Sequence, residues 1–317
     1  MTMDPFVRSL TGAADQPVLR LERRLAASSQ DVWSAITDPR RLARWLGTLE
    51  TTEAAGHFHL RVVDEPETPA DLHVTRCAAP ESLELSWRWE GERPSSVSVS
   101  IADDEGQTLL VLEHRLGEPQ HAVEYGGGWE YHLTSLAALF GETRPFVHTD
   151  AAASGRWPRM TAGALTLQVE LDADRAPVWH ALTTVHGLRR WWWNQWSDVE
   201  IIADARPGGR YRFAAPRAGI AAEGDYIDVT PEEHVSFTWR WIDAEGTSTD
   251  EACDIRLTEL PGGCRLTLRH TGPWADASSA ESYRQGWESV FSALSRAVGS
   301  SGSTPEMRDQ AAAPLPE

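Results

Sequence analysis

The chain repeats itself. Residues 19–45 and 165–191 superimpose without a gap, 146 positions apart: Leu19, Trp33, Ala35, Thr37, Leu42 and Trp45 fall on Leu165, Trp179, Ala181, Thr183, Leu188 and Trp191. Trp87-Arg88-Trp89 then matches Trp239-Arg240-Trp241, each shortly after a Pro-Glu pair (Pro80-Glu81, Pro231-Glu232). Leu110, Leu112 and His114 match Leu266, Leu268 and His270, and Tyr125, Gly128-Trp129-Glu130 and Leu136 match Tyr283, Gly286-Trp287-Glu288 and Leu294. So many collinear matches with short gaps mean a duplicated domain. A length of 317 residues agrees, being more than one ordinary domain holds.

Each repeat reads alike. An opening strand (19–25; 165–171) alternates apolar and polar residues with period two. A short helix follows, with Ser28 or Asp174 as N-cap before Val32-Trp33 or Val178-Trp179. A second short helix carries Leu42 and Trp45, or Leu188 and Trp191. Several strands come next, broken by turns such as Asp103-Asp104-Glu105-Gly106 and Pro261-Gly262-Gly263. A final helix is expected from about Gly128 to Phe140 and from about Gly286 to Val298, with Trp129, Leu133, Leu136 and Phe140 on one face. This order predicts an α+β fold, an antiparallel sheet curled around the last helix. The expected boundaries are a disordered tail (1–16), a first domain (17–141), a linker rich in small residues with Pro145 and Pro158 (142–162), a second domain (163–298) and a disordered tail (299–317).

Charge restricts the partners. The net charge is −18, which opposes binding to nucleic acid or to anionic membranes. No stretch approaches the roughly 18 apolar residues of a membrane helix, and the first residues lack the apolar core of a secretory signal. Cys77, Cys253 and Cys264 are odd in number and form no paired motif, which fits a reducing compartment. A cytoplasmic location is therefore expected.

Both repeats carry the pattern apolar-x-Val-Trp-x-Ala-Ile/Leu-Thr…Leu-x-x-Trp, then Pro-Glu and a strand ending in tryptophan, then His…Gly-Trp-Glu. In these motifs the chain resembles the START-like (SRPBCC) superfamily, and most closely the domain of the activator of heat-shock protein 90 ATPase homologue family, over residues 18–140 and 164–298. The resemblance implies two helix-grip domains, each with two short helices after the first strand, and each able to enclose an apolar cavity. It implies no single activity, because such domains serve as ligand carriers, cyclases and hydroxylase components. The chaperone activators' different N-terminal domain has no counterpart in this sequence, so co-chaperone activity is not expected.

Tryptophan dominates the candidate site. There are fifteen, against seven phenylalanines and five tyrosines. Strand alternation puts Val235, Phe237, Trp239 and Trp241 on one face, as it does Leu83, Leu85, Trp87 and Trp89. That face must meet the last helix, bringing in Trp287 and Phe291, or Trp129. These rings either fill a core or line a cavity. His114 and His270 each end an inward-facing alternation. The segment Arg190-Trp191-Trp192-Trp193-Asn194-Gln195-Trp196 is longer than its counterpart Arg44-Trp45-Leu46-Gly47, which points to the second domain for the pocket. The expected ligand-binding residues are Trp193, Tyr226, Phe237, Trp239, Trp241, His270, Trp287 and Phe291. His57 and His59 share a strand face, but they match Arg210 and Arg212 and lack an apparent third ligand. No metal and no cofactor are expected.

The expected function is a non-catalytic binding protein for a small hydrophobic or aromatic molecule. The main alternative is a polyketide-type cyclase or aromatase using pocket water and a general acid such as His270 or Tyr226. A third is a protein-interaction module working through the Trp191–Trp196 segment. No nucleophile elbow or phosphate loop is present.

Overall fold

A computed structural model describes residues 4–63, 65–142, 155–274, 277–299 and 307–308. The chain divides into two compact units, Met1–Thr161 and Ala162–Glu317.

In the first unit the chain runs β1 (Phe6–Ala13), β2 (Gln16–Leu25), α1 (Ser29–Thr37), α2 (Pro39–Leu42), β3 (Gly47–Thr51), β4 (His57–Val62), β5 (Glu65–Ala78), β6 (Ser82–Arg88), β7 (Ser95–Asp104), β8 (Gln107–Arg115), α3 (Ala122–Ala138) and α4 (Arg156–Ala162). The strands form one antiparallel sheet in the order β1-β2-β8-β7-β6-β5-β4-β3, with α3 packed on its inner face through Trp129, Leu133 and Leu136. Ser28 caps α1, its hydroxyl accepting from the Asp31 N–H at 3.2 Å.

The second unit repeats the plan with β9 (Leu165–Leu171), α5 (Arg175–Thr183), α6 (Val185–Leu188), β10 (Glu200–Ala203), β11 (Arg210–Ala215), β12 (Ile220–Thr230), β13 (His234–Asp243), β14 (Gly246–Thr247), β15 (Glu251–Leu260), β16 (Gly263–Thr271), α7 (Ala277–Val298) and β17 (Met307–Arg308). Its sheet order is β10-β11-β12-β13-β15-β16-β9-β17, with β14 paired to β13. Asp174 holds the N-cap position of α5 but makes no side-chain capping bond.

Three expectations need correction. Residues 6–13 are not a tail: β1 pairs with β2 over its whole length, and Phe6, Arg8, Ser9, Leu10 and Thr11 are buried. Arg8 makes a two-pronged ion pair with buried Glu130 of α3 at 2.7 and 2.9 Å, so the strand is bolted to the back of the helix. Residues 156–162 are a helix rather than linker; Pro158 stands in its first turn, where a missing N–H costs nothing. Trp157 there is fully buried and donates to Glu130 at 2.6 Å. The last helices also begin earlier than expected. The run Gly126-Gly127-Gly128 reads as a helix breaker, yet α3 passes through it, and Gly126 makes room for Trp157, since a Cβ there would sit 2.5 Å from the indole. The rest of the proposed linker and tails lies outside the described residues, apart from residues 4, 5, 14–16, 142, 155 and 299 and the pair 307–308.

Candidate ligand cavity

The two domains share a frame and differ inside it. In each, the tryptophan after the second short helix is anchored alike: Trp45 donates to the Ala35 carbonyl, and Trp191 to that of Ala181, both at 3.0 Å. In each, the last helix's tryptophan donates to the inward histidine, Trp129 to His114 Nδ1 at 3.0 Å and Trp287 to His270 Nδ1 at 3.1 Å. Both histidines are thus structural pins between sheet and helix. Nε2 of His114 is 2.8 Å from the Ser95 hydroxyl, and burial holds its imidazole down to about 3, hence neutral.

Between sheet and helix the first domain encloses a cavity of about 240 Å³. Its closed end is formed by Trp87, Trp129, Leu110, Leu112 and Leu133, none more than 5% exposed. Leu49, Val74, Leu83 and Val99 are half-buried and lead to the mouth, where Thr37 and Cys77 are exposed. The register Cys77↔Leu83↔Val99↔Leu112 lays one row of the wall across four strands, with Leu72↔Trp87 a second row at the closed end.

The second domain retains only about 20 Å³ in the same place. Three of the eight expected site residues line that remnant, and the other five pack outside it. Tyr226, Phe237 and Trp287 line the remnant together with Trp192. Trp239 is buried against Trp287 (5.2 Å between centroids), and Phe291 stacks on Trp287 at 5.3 Å. Trp193 is buried edge-on to half-buried Trp241 at 5.8 Å, and His270 is fully buried. The larger cavity therefore lies in the opposite domain from the one expected.

The cause is legible position by position. Where the first domain has Leu46, the second has Trp192, whose ring packs on Phe213, Trp287 and Trp239 at 4.6, 5.7 and 6.3 Å. The cross-strand pair Val74↔Leu85 becomes Tyr226↔Phe237. Leu133 on α3 likewise gives way to Phe291 on α7, so four aliphatic side chains of the wall are replaced by four rings, and the rings occupy the space. The Trp191–Trp196 segment is accordingly no exposed patch: Trp191, Trp192 and Trp193 are buried and Trp196 half-buried.

Elsewhere on the first sheet, His57 stacks on His73 (centroids 4.0 Å apart) and His59 Nδ1 lies 2.9 Å from Asp71, on the side of β4 and β5 opposite Phe58 and Leu72. Among the described residues no group of three His, Cys, Asp or Glu side chains is placed to hold a metal ion, and no helix is long and apolar enough to cross a membrane.

An antiparallel sheet gripping one long helix, twice in a chain, defines a tandem helix-grip protein. Residues 26–141 and 172–299 match the model of the family described as "Activator of Hsp90 ATPase homolog 1-like protein", and the chain belongs to that family. No curated protein matches it. Among solved structures it is similar to CalU16 from Micromonospora echinospora (27% identity over 50% of this chain and 99% of that one, TM-score 0.41). It is also similar to CV1439 from Chromobacterium violaceum (27%, 43% and 96%, TM-score 0.36). A third is DynU16, titled a putative protein in the dynemicin biosynthetic locus (17%, 88% and 97%, TM-score 0.36).

Proposed function

We propose that the protein binds a small hydrophobic molecule without transforming it, and that the site is the first-domain cavity. The observation that carries this is the contrast between an apolar cavity of about 240 Å³ and a matched remnant of about 20 Å³. A gap that size forfeits packing on the order of several kcal/mol, a cost that a ligand would offset. The second domain supplies the same frame in a packed form.

Catalysis needs polar groups converging on a reacting atom. Among the described residues the cavity wall offers, besides the committed indole N–H groups, only the Thr37 hydroxyl and the Cys77 thiol, both at the mouth, while His114 is committed to Trp129 and Ser95. A general acid at His270 or Tyr226, as the cyclase alternative required, would stand in the packed domain.

The test is titration of the full chain with a small neutral naphthalene fluorophore, alongside native mass spectrometry of protein purified from its own host. Saturable enhancement with a stoichiometry of one is expected. Absence of enhancement up to the fluorophore's solubility, with no retained molecule in the mass spectrum, would remove the proposal.

A further inference from the structure

Resting on that proposal, we infer that the ligand is a hydrocarbon body of about ten non-hydrogen atoms, free of hydrogen-bonding groups along its buried length, with one polar end at the mouth beside Thr37 and Cys77. The size follows by scaling from the roughly 150 Å³ apolar cavity that accommodates benzene.

The chemistry follows from which polar atoms are spoken for. Three tryptophans line the cavity, and each indole N–H is already given away: Trp45 to the Ala35 carbonyl at 3.0 Å, Trp87 to the Tyr125 hydroxyl at 3.2 Å, Trp129 to His114 at 3.0 Å. Their partners are engaged in turn. Tyr125 donates to Glu92 at 2.7 Å, and His114 meets Ser95 at 2.8 Å. Among the described residues no charged side chain lines the cavity. A carbonyl, hydroxyl or carboxylate pushed to the closed end would leave its water hydrogen bonds behind and find none in exchange. A chain with carbonyls at regular intervals is therefore the wrong cargo.

The mouth is different. Thr37 donates to the Trp33 carbonyl at 2.7 Å and keeps its oxygen lone pairs for an incoming hydroxyl, and both Thr37 and Cys77 are exposed to water. One polar end placed there stays hydrated.

The experiment is calorimetric titration of the full chain with 1-octanol and with 1,8-octanediol, which differ only by a hydroxyl at the far end. Octanol should bind at least tenfold more tightly. In parallel, bound octanol should slow modification of Cys77 by a thiol reagent several-fold. Cys77→Ser gives the background from buried Cys253 and Cys264. A diol that binds within threefold of octanol would mean that a buried polar partner exists, and would overturn the inference while leaving ligand binding intact. Octanol binding with no protection of Cys77 would overturn the placement of the mouth. No heat from either alcohol at two well-separated temperatures, with no displacement of the naphthalene fluorophore by either, would sink the binding proposal and this one together.

Discussion

Exchanging Leu46 and Trp192 between the domains should exchange their properties. At about 24 cal/mol per Å³ of residual cavity, the roughly 240 Å³ of the first domain represents about 6 kcal/mol of packing not realised in ligand-free protein. Filling a quarter of it by Leu46→Trp returns about 1.5 kcal/mol, provided the ring adopts the seat that Trp192 occupies among Phe213, Trp239 and Trp287. The same ring blocks ligand, so affinity for the naphthalene fluorophore should fall at least tenfold. Trp192→Leu should do the reverse, costing the second domain about 3 kcal/mol, near the low end for loss of a packed indole, and giving it a probe site. Urea unfolding followed by hydrogen exchange of peptides from β8 and β16 reads each domain separately. If Leu46→Trp leaves both probe affinity and first-domain stability unchanged, the ring substitutions are not what separates the domains.

Acid should weaken the first domain through His114. Its depressed pKa, caused by burial, means that stability is complete above the unfolded value of about 6.5 and is lost as pH falls toward about 3, about 3 kcal/mol of it by pH 4.5; His114→Gln should flatten that slope, and parallel curves would refute it. Alkali should weaken the second domain through His234. Burial opposes its charge, but hydrogen bonds to Asp228 and Asp254 outweigh burial and lift it to about 9, so stability is complete below 6.5 and about 3 kcal/mol is lost as pH rises through 9. The same peptide-resolved unfolding at pH 6 and pH 9 should show that loss, and His234→Gln should abolish it. Gly126→Ala should lower the thermal midpoint by an amount equivalent to about 1–3 kcal/mol, because the new methyl meets Trp157 inside van der Waals distance; an unchanged midpoint would show that α4 can move aside.

The duplication, the strand faces and the anchoring tryptophans were legible because they recur with the period of the element that carries them. β1 was not, because Phe6–Ala13 buries both faces and so shows no alternation. α4 was not, because a helix of seven residues with an internal proline has no periodicity to display, and its anchor is one tryptophan on one glycine. The location of the cavity departs from the sequence expectation for a physical reason. Extra rings at inward positions suggest a cavity lining, but added volume in a fixed frame is filling. The signal lay in the direction of the differences Leu46/Trp192, Val74/Tyr226 and Leu85/Phe237, each larger in the second repeat.

The unequal interiors also set how each domain answers hydrostatic pressure. Unfolding under pressure is driven by the internal void volume that disappears when water reaches it. In ligand-free protein the first domain holds a void on the order of 100 mL per mole, and the second about a twelfth of that. Heat and urea will rank the domains by their whole balance of burial and entropy, whereas compression ranks them by unfilled space, and it should open the first domain's sheet while the second, with its rings interlocked, stays folded.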